Sequence, residues 1–194
     1  MLSRRTQPLL LVNIAIFTTS ISYPAKKSGD KPMKRKSTSN VKYLTDEELK
    51  RLFSVINSVR DRAIFRLAYH RGLRASEVGL LQMEDYRSSA GRLAVTRLKN
   101  GHSGEYILTE IEKKVLKSWL KERGGASGPI FVSNRKTAIS QQMLDVLTKK
   151  YCGEADIPSG KAHFHVLRHS CATHLLQRGR ELAEIKGNYI HDFP

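Results

Sequence analysis

The chain has 194 residues, 40% of them hydrophobic and 27% charged, with 34 Lys and Arg against 18 Asp and Glu. A formal net charge of +16 is more than a solubilising surface needs, since mixed-sign charge would serve that, and it suits a polyanionic partner, because each phosphate contact releases condensed counterions. Two cysteines exclude a disulfide framework, and they form no CxxC metal pair, so a reducing cytoplasm is the expected compartment.

In chain order, residues 1–40 stand apart. "RRTQPLLLVNIAIF" sets two arginines before a short apolar run, in the manner of the front of a signal peptide. No small-x-small cleavage site follows, and the run is too short to span a bilayer. The next residues, "KKSGDKPMKRKSTSN", are strongly basic. The segment therefore reads as a disordered or spuriously extended leader with Met33 as a candidate start. In that reading Lys26, Lys27, Lys34, Arg35 and Lys36 form an arm that can lie along DNA phosphates.

Residues 41–194 carry the folded pattern. "TDEE" is a capping box, Thr45 with Glu48, followed at helical spacing by Leu49, Leu52, Phe53 and Ile56. "SVRDRAIFRLAYHRG" predicts a second helix with Ile64, Leu67 and Ala68 inward and Gly72 as its stop. "ASEVGLLQM" predicts a short third. Then the period changes: "RLAVTRLKNGHSGEYIL" alternates like strands on both sides of a turn rich in Asn and Gly. "TEIEKKVLKSWLKERGG" is another capped helix, Thr109 with Glu112, with Val115, Leu116, Trp119 and Leu120 on one face. "PIFVS" predicts a short strand, "SQQMLDVLTKKY" and "HFHVLRHSCATHLL" two helices, and "RELAEIK" the start of one more. The sum is a mostly helical α+β domain with one small antiparallel sheet.

Four histidines crowd "HFHVLRHSCATHLL". A zinc reading needs His165 and His169 with a third ligand and a general base, and there is no HExxH, so no metal is expected. Leu167, Cys171, Leu175 and Leu176 read as the core stripe, and His169 and His174 as packed or hydrogen-bonded rings. Arg168 lies off that stripe near the helix start, where backbone amides favour anions, and His165 shares its face. Arg74 follows Gly72 at a helix-to-helix corner, and Lys99 falls where the hairpin turns.

"GLRASEV", the hairpin lysine of "RLKNGHSGEYIL" and "HVLRHSCATHLL" together resemble the leading boxes of the tyrosine recombinases, the phage-integrase family, in order and spacing from about Tyr43 to about Ile185. The short lead-in is similar to that of the small fimbrial invertases. The resemblance implies a catalytic domain that acts on double-stranded DNA as a homo-multimer, without cofactor, metal or membrane. In it a tyrosine attacks the phosphodiester to give a 3′-phosphotyrosyl link. It implies further that Arg74 and Arg168 clamp the phosphate, that Lys99 is the general acid and that His165 handles the nucleophile's proton. Glu77 is then a support for Arg74. Arg97, beside the turn, is expected to help bind DNA.

The resemblance breaks after "RELAEIK". The family continues with a helix, an LGH-like box and a late tyrosine, whereas here "GNYIHDFP" follows. Tyr189 stands 21 positions after Arg168, about ten too few for the family's nucleophile, and His191 is an equally poor match for the second histidine. The chain is expected to be truncated at its C-terminus and inactive alone. The alternative to a strand transferase is a non-catalytic DNA-binding remnant; an RNA-binding helical protein explains the charge but not the spacing.

Overall fold

Side-chain caps set the helix starts. In the computed structural model, which describes residues 43–98 and 103–181, Thr45 accepts from the Glu48 amide while Glu48 reaches back to the Thr45 amide, opening α1 (Asp46–Val55). Ser58 caps α2 (Val59–Arg71), Thr109 and Glu112 box α4 (Glu110–Arg123), and Ser140 caps α5 (Gln141–Glu154). Each such cap contributes about 1 kcal/mol. Between them lie α3 (Ala75–Leu80) and the strands β1 (Tyr86–Arg87), β2 (Arg92–Val95) and β3 (Gly104–Ile107); α6 (His165–Gln177) follows α5.

The strands form one antiparallel sheet in the order β1-β2-β3, with Leu93 opposite both Tyr86 and Tyr106. Leu93, Val95 and Tyr106 turn into the core, as strand alternation demands. Helix α2 is the centre of the packing. It lies against α4 on one side and α6 on the other, so Ala63, Ile64, Phe65, Leu67, Ala68, Tyr69, His70 and Arg71 are all buried. Gly72 ends it in the left-handed region, φ 55° and ψ 40°, where a side chain would be strained. Both cysteines are buried thiols. Among the described residues no helix is long and apolar enough to cross a membrane.

The chain departs from its sequence pattern in three places. "PIFVS" is not a strand: Pro129 bridges to Gln82 and Val132 to Ala138, two single-residue pairings with different partners, too short to make a ladder. The helix over "ASEVGLLQM" stops at Leu80, because Leu81 turns extended and Asp85 captures the Gln82 amide at 2.7 Å to build a separate turn over Met83–Asp85. Leu176 is not core; it is 43% exposed, and the buried face of α6 is instead Val166, Leu167, Ser170, Cys171, His174 and Leu175. The helix that "RELAEIK" predicts lies outside the described residues.

Candidate active site

The last peptides of α2 organise the site. Arg71 is buried, its guanidinium forked onto Glu112: Nε donates to Oε1 at 2.7 Å and Nη2 to Oε2, while Nη2 also donates to the Ile107 carbonyl at 2.7 Å. The carbonyls of Arg71 and Gly72 are no longer used within the helix and point at neighbouring arginines. Arg97 donates to the Arg71 carbonyl at 2.7 Å and to the Gly72 carbonyl at 3.5 Å; Arg168, from the first turn of α6, donates to the Gly72 carbonyl as well.

Two residues on, Arg74 caps α3. Its amide and its Nη1 both bond Glu77, at 2.9 and 2.6 Å, and Nη1 also donates to the Leu98 carbonyl at 2.9 Å. Glu77 is fully buried and takes two further donors, Arg97 Nη1 at 3.0 Å and the Leu98 amide at 3.2 Å. Burial pushes its carboxyl pKa up, but the Arg74 hydrogen bonds and the Arg97 charge outweigh it and hold the group ionised below the usual carboxylate range. One carboxylate thus fixes Arg74 and the segment that follows β2. A quarter of the Arg74 side chain remains exposed.

His165 opens α6 on the exposed face, its ring edge-on to that of His169 at 4.6 Å between centroids. Partial desolvation, then the neighbouring His169, Arg168 and Arg74, lower its pKa, so at neutral pH the imidazole is neutral and able to take a proton. The start of α6 has no side-chain cap of its own; Asp145 of α5 accepts the Phe164 amide at 3.0 Å. A groove of about 660 Å³ adjoins Arg74, lined among others by Ala75, Ser76, Leu98, Ser140, Gln141 and Asp145.

Arg74, Glu77, His165 and Arg168 are therefore brought together, two half-buried cations and a neutral imidazole, an arrangement able to hold an anion and move a proton near it. A model of the phage integrase family matches residues 42–191 of the chain. The chain belongs to the phage integrase family. Within that family it is similar to the type 1 fimbriae regulatory protein FimE of Escherichia coli K12, 31% identical over 162 residues, covering 77% of this chain and 80% of FimE. It is 36% identical to tyrosine recombinase XerA of Pyrococcus furiosus over 75% of this chain but only 51% of XerA, so the chain spans about half the length of that relative. A crystal structure of XerA recombinase matches with a TM-score of 0.70 at 27% identity, over 84% of this chain and 59% of that one. XerH site-specific recombinase bound to its difH substrate shares the fold, with a TM-score of 0.65 at 22% identity, over 79% of this chain and 48% of that one. The mostly helical domain with a small antiparallel sheet is thus the tyrosine recombinase catalytic fold.

Some expectations change within this family frame. Arg97, placed by sequence on the DNA-binding surface, is turned inward: its side chain is 4% exposed, held by Glu77 and by the two α2 carbonyls, because a buried carboxylate and a helix C-terminus compete for it more strongly than solvent. Lys99, Tyr189, His191 and the arm residues Lys26, Lys27, Lys34, Arg35 and Lys36 lie outside the described residues. Sequence reasoning missed Arg71 and the second use of Glu112. A basic residue in a last helical turn and a Glu in a capping box each have a sufficient local explanation, so no signal joined them. Asp145, which anchors the start of α6, was also missed.

Proposed function

We propose that the chain is the catalytic domain of a site-specific DNA strand transferase that binds double-stranded DNA as a homo-multimer in the cytoplasm. What carries the reading is the pair Arg74 and Arg168, fixed through Glu77 and the end of α2, with His165 beside them. The five-coordinate phosphate of strand transfer gains negative charge on its non-bridging oxygens, and two permanently charged, forked guanidiniums suit it. Neutral His165 accepts the nucleophile's proton during attack and returns it on rejoining, and Lys99 protonates the leaving 5′-oxygen. The DNA-bound recombinases of this fold support the partner, XerH on difH and a lambda integrase tetramer on a Holliday junction among them. The +16 charge supports it independently.

Tyr189 is the sole tyrosine of the sequence after Arg168, at a separation too short for the family's nucleophile. Binding energy cannot replace an in-line nucleophile, so Tyr189 at that separation is expected to leave bound DNA uncut. The test is a nicked suicide duplex carrying the cognate site. No denaturant-stable protein–DNA adduct is expected from the chain itself. An adduct is expected once a family-like tail with an LGH box and a late tyrosine follows Lys186, and it should vanish with Arg74→Ala or Arg168→Ala. An adduct from the unaltered chain that Tyr189→Phe abolishes would make Tyr189 the nucleophile. Duplex affinity that does not fall steeply with salt would count against the nucleic-acid role altogether.

A further inference from the structure

We infer that the buried Arg71–Glu112 pair is a positioning device for the phosphate site, fixing where Arg168 and Arg74 stand although neither member of the pair is exposed. The inference rests on the reading of Arg74 and Arg168 as a phosphate clamp. Arg71 is 0% exposed and Glu112 is 0% exposed. A buried ion pair is poor evidence for stability, since an apolar pair of similar volume often serves as well or better. What it supplies is geometry. The fork from Arg71 Nε and Nη2 onto the two oxygens of Glu112 fixes distance and orientation together. Glu112 is itself immobilised, because its Oε2 also accepts the Thr109 amide at 2.8 Å and the Thr109 hydroxyl at 3.0 Å.

The pair thus pins the C-terminus of α2 to the junction of β3 and α4. At the same turn of backbone, the Arg71 and Gly72 carbonyls are the acceptors that hold Arg97 and Arg168. Arg97 in turn holds Glu77, and Glu77 holds Arg74. Both clamp arginines therefore hang from two consecutive peptides, and those peptides are located by the Arg71–Glu112 fork. The bond from Arg71 Nη2 to the Ile107 carbonyl adds the end of β3 to the same anchor. A shift of Arg71 displaces both guanidiniums at once.

The experiment uses the full 194-residue chain and inorganic phosphate as the probe. Arginine Nε–H and histidine Cε1–H resonances of the ¹⁵N,¹³C-labelled protein are followed through a phosphate titration. Arg71→Met combined with Glu112→Leu replaces the pair with apolar groups. It is expected to keep a dispersed amide spectrum yet bind phosphate about tenfold more weakly, the scale on which groups that orient a binding residue act. Arg71→Lys keeps the charge but loses the fork, and should fall between the two. It also decides the matter if the double variant does not fold: weakened binding by folded Arg71→Lys supports the inference, and unchanged binding overturns it. Arg74→Ala and Arg168→Ala serve as references. If both leave the phosphate response intact, the clamp reading fails and takes the inference with it. If both abolish the response while folded Arg71→Met/Glu112→Leu binds like the parent, the clamp stands and the positioning role is overturned.

Discussion

Two pairs of histidines divide the molecule. His165 and His169 lie on the exposed face of α6 beside Arg168, whereas His174 and His70 are packed around Tyr69 in the core. The Tyr69 hydroxyl and His174 Nδ1 share a hydrogen bond of 2.8 Å. The two α6 environments are five residues apart, from 169 to 174, and at about 100° per residue that separation turns a side chain to the far side of the helix. One face of α6 leaves its imidazoles available to a ligand, and the other consumes them in the fold. The same residue type therefore says nothing about chemistry until its place around the helix is known.

The strongest way to test that division is to remove one ring from each face. In a chain bearing a family-like tail after Lys186, His165→Ala should slow adduct formation by at least ~10²-fold, the usual scale for a positioned acid–base group. Its unfolding free energy in urea should hardly change. His174→Ala should do the reverse. It leaves a cavity and takes the His174 ring away from the Tyr69 hydroxyl, a loss of about 2–4 kcal/mol in urea unfolding, while phosphate titration of the folded protein stays as in the parent. Equal effects of the two substitutions on both measurements would erase the distinction.

Acidification sharpens it further. Burial, only partly opposed by Glu112, lowers the His70 pKa from 6.5 to about 4. Between those values the unfolded chain takes up a proton that the folded chain refuses, so stability is full above about pH 6.5 and falls as the pH drops towards 4, by up to about 3 kcal/mol. Urea midpoints measured across that range should lose most of this slope in His70→Gln. The smallest effect belongs to the exposed pair. His169→Ala removes one of the groups that lower the His165 pKa, so the His165 Cε1–H titration should move upward, towards the ordinary histidine range.

Much of this architecture could be read from the sequence because local chemistry dictates it. Thr45 with Glu48, Thr109 with Glu112, and Gly72 are start and stop signals that act over three or four residues, and the structure uses all three. The antiparallel pairing of residues 92–95 with 104–107 is equally local. "PIFVS" failed because a strand needs a continuous partner, and its partners are single residues far apart in the chain. The candidate site divides in the same way. Arg74, His165 and Arg168 stood out by their local placement, and the resemblance to the recombinase boxes added Glu77 and implied their roles. The inward turn of Arg97 and the Arg71–Glu112 fork could not be read, since they join residues 20 and 41 positions apart and depend on how α2, α4 and the sheet meet.

The two thiols have a practical consequence. Burial raises Cys152 to about 11 and Cys171 to about 12, so near neutrality neither offers the thiolate that oxidants and electrophiles attack. Maleimide added to the native protein should leave both untouched, while urea should expose both to rapid alkylation. A cysteine introduced at an exposed position, such as Ser118 on α4, would then be the one site to take a fluorophore, giving a single-label reporter of DNA engagement without first stripping the chain of its own sulfur.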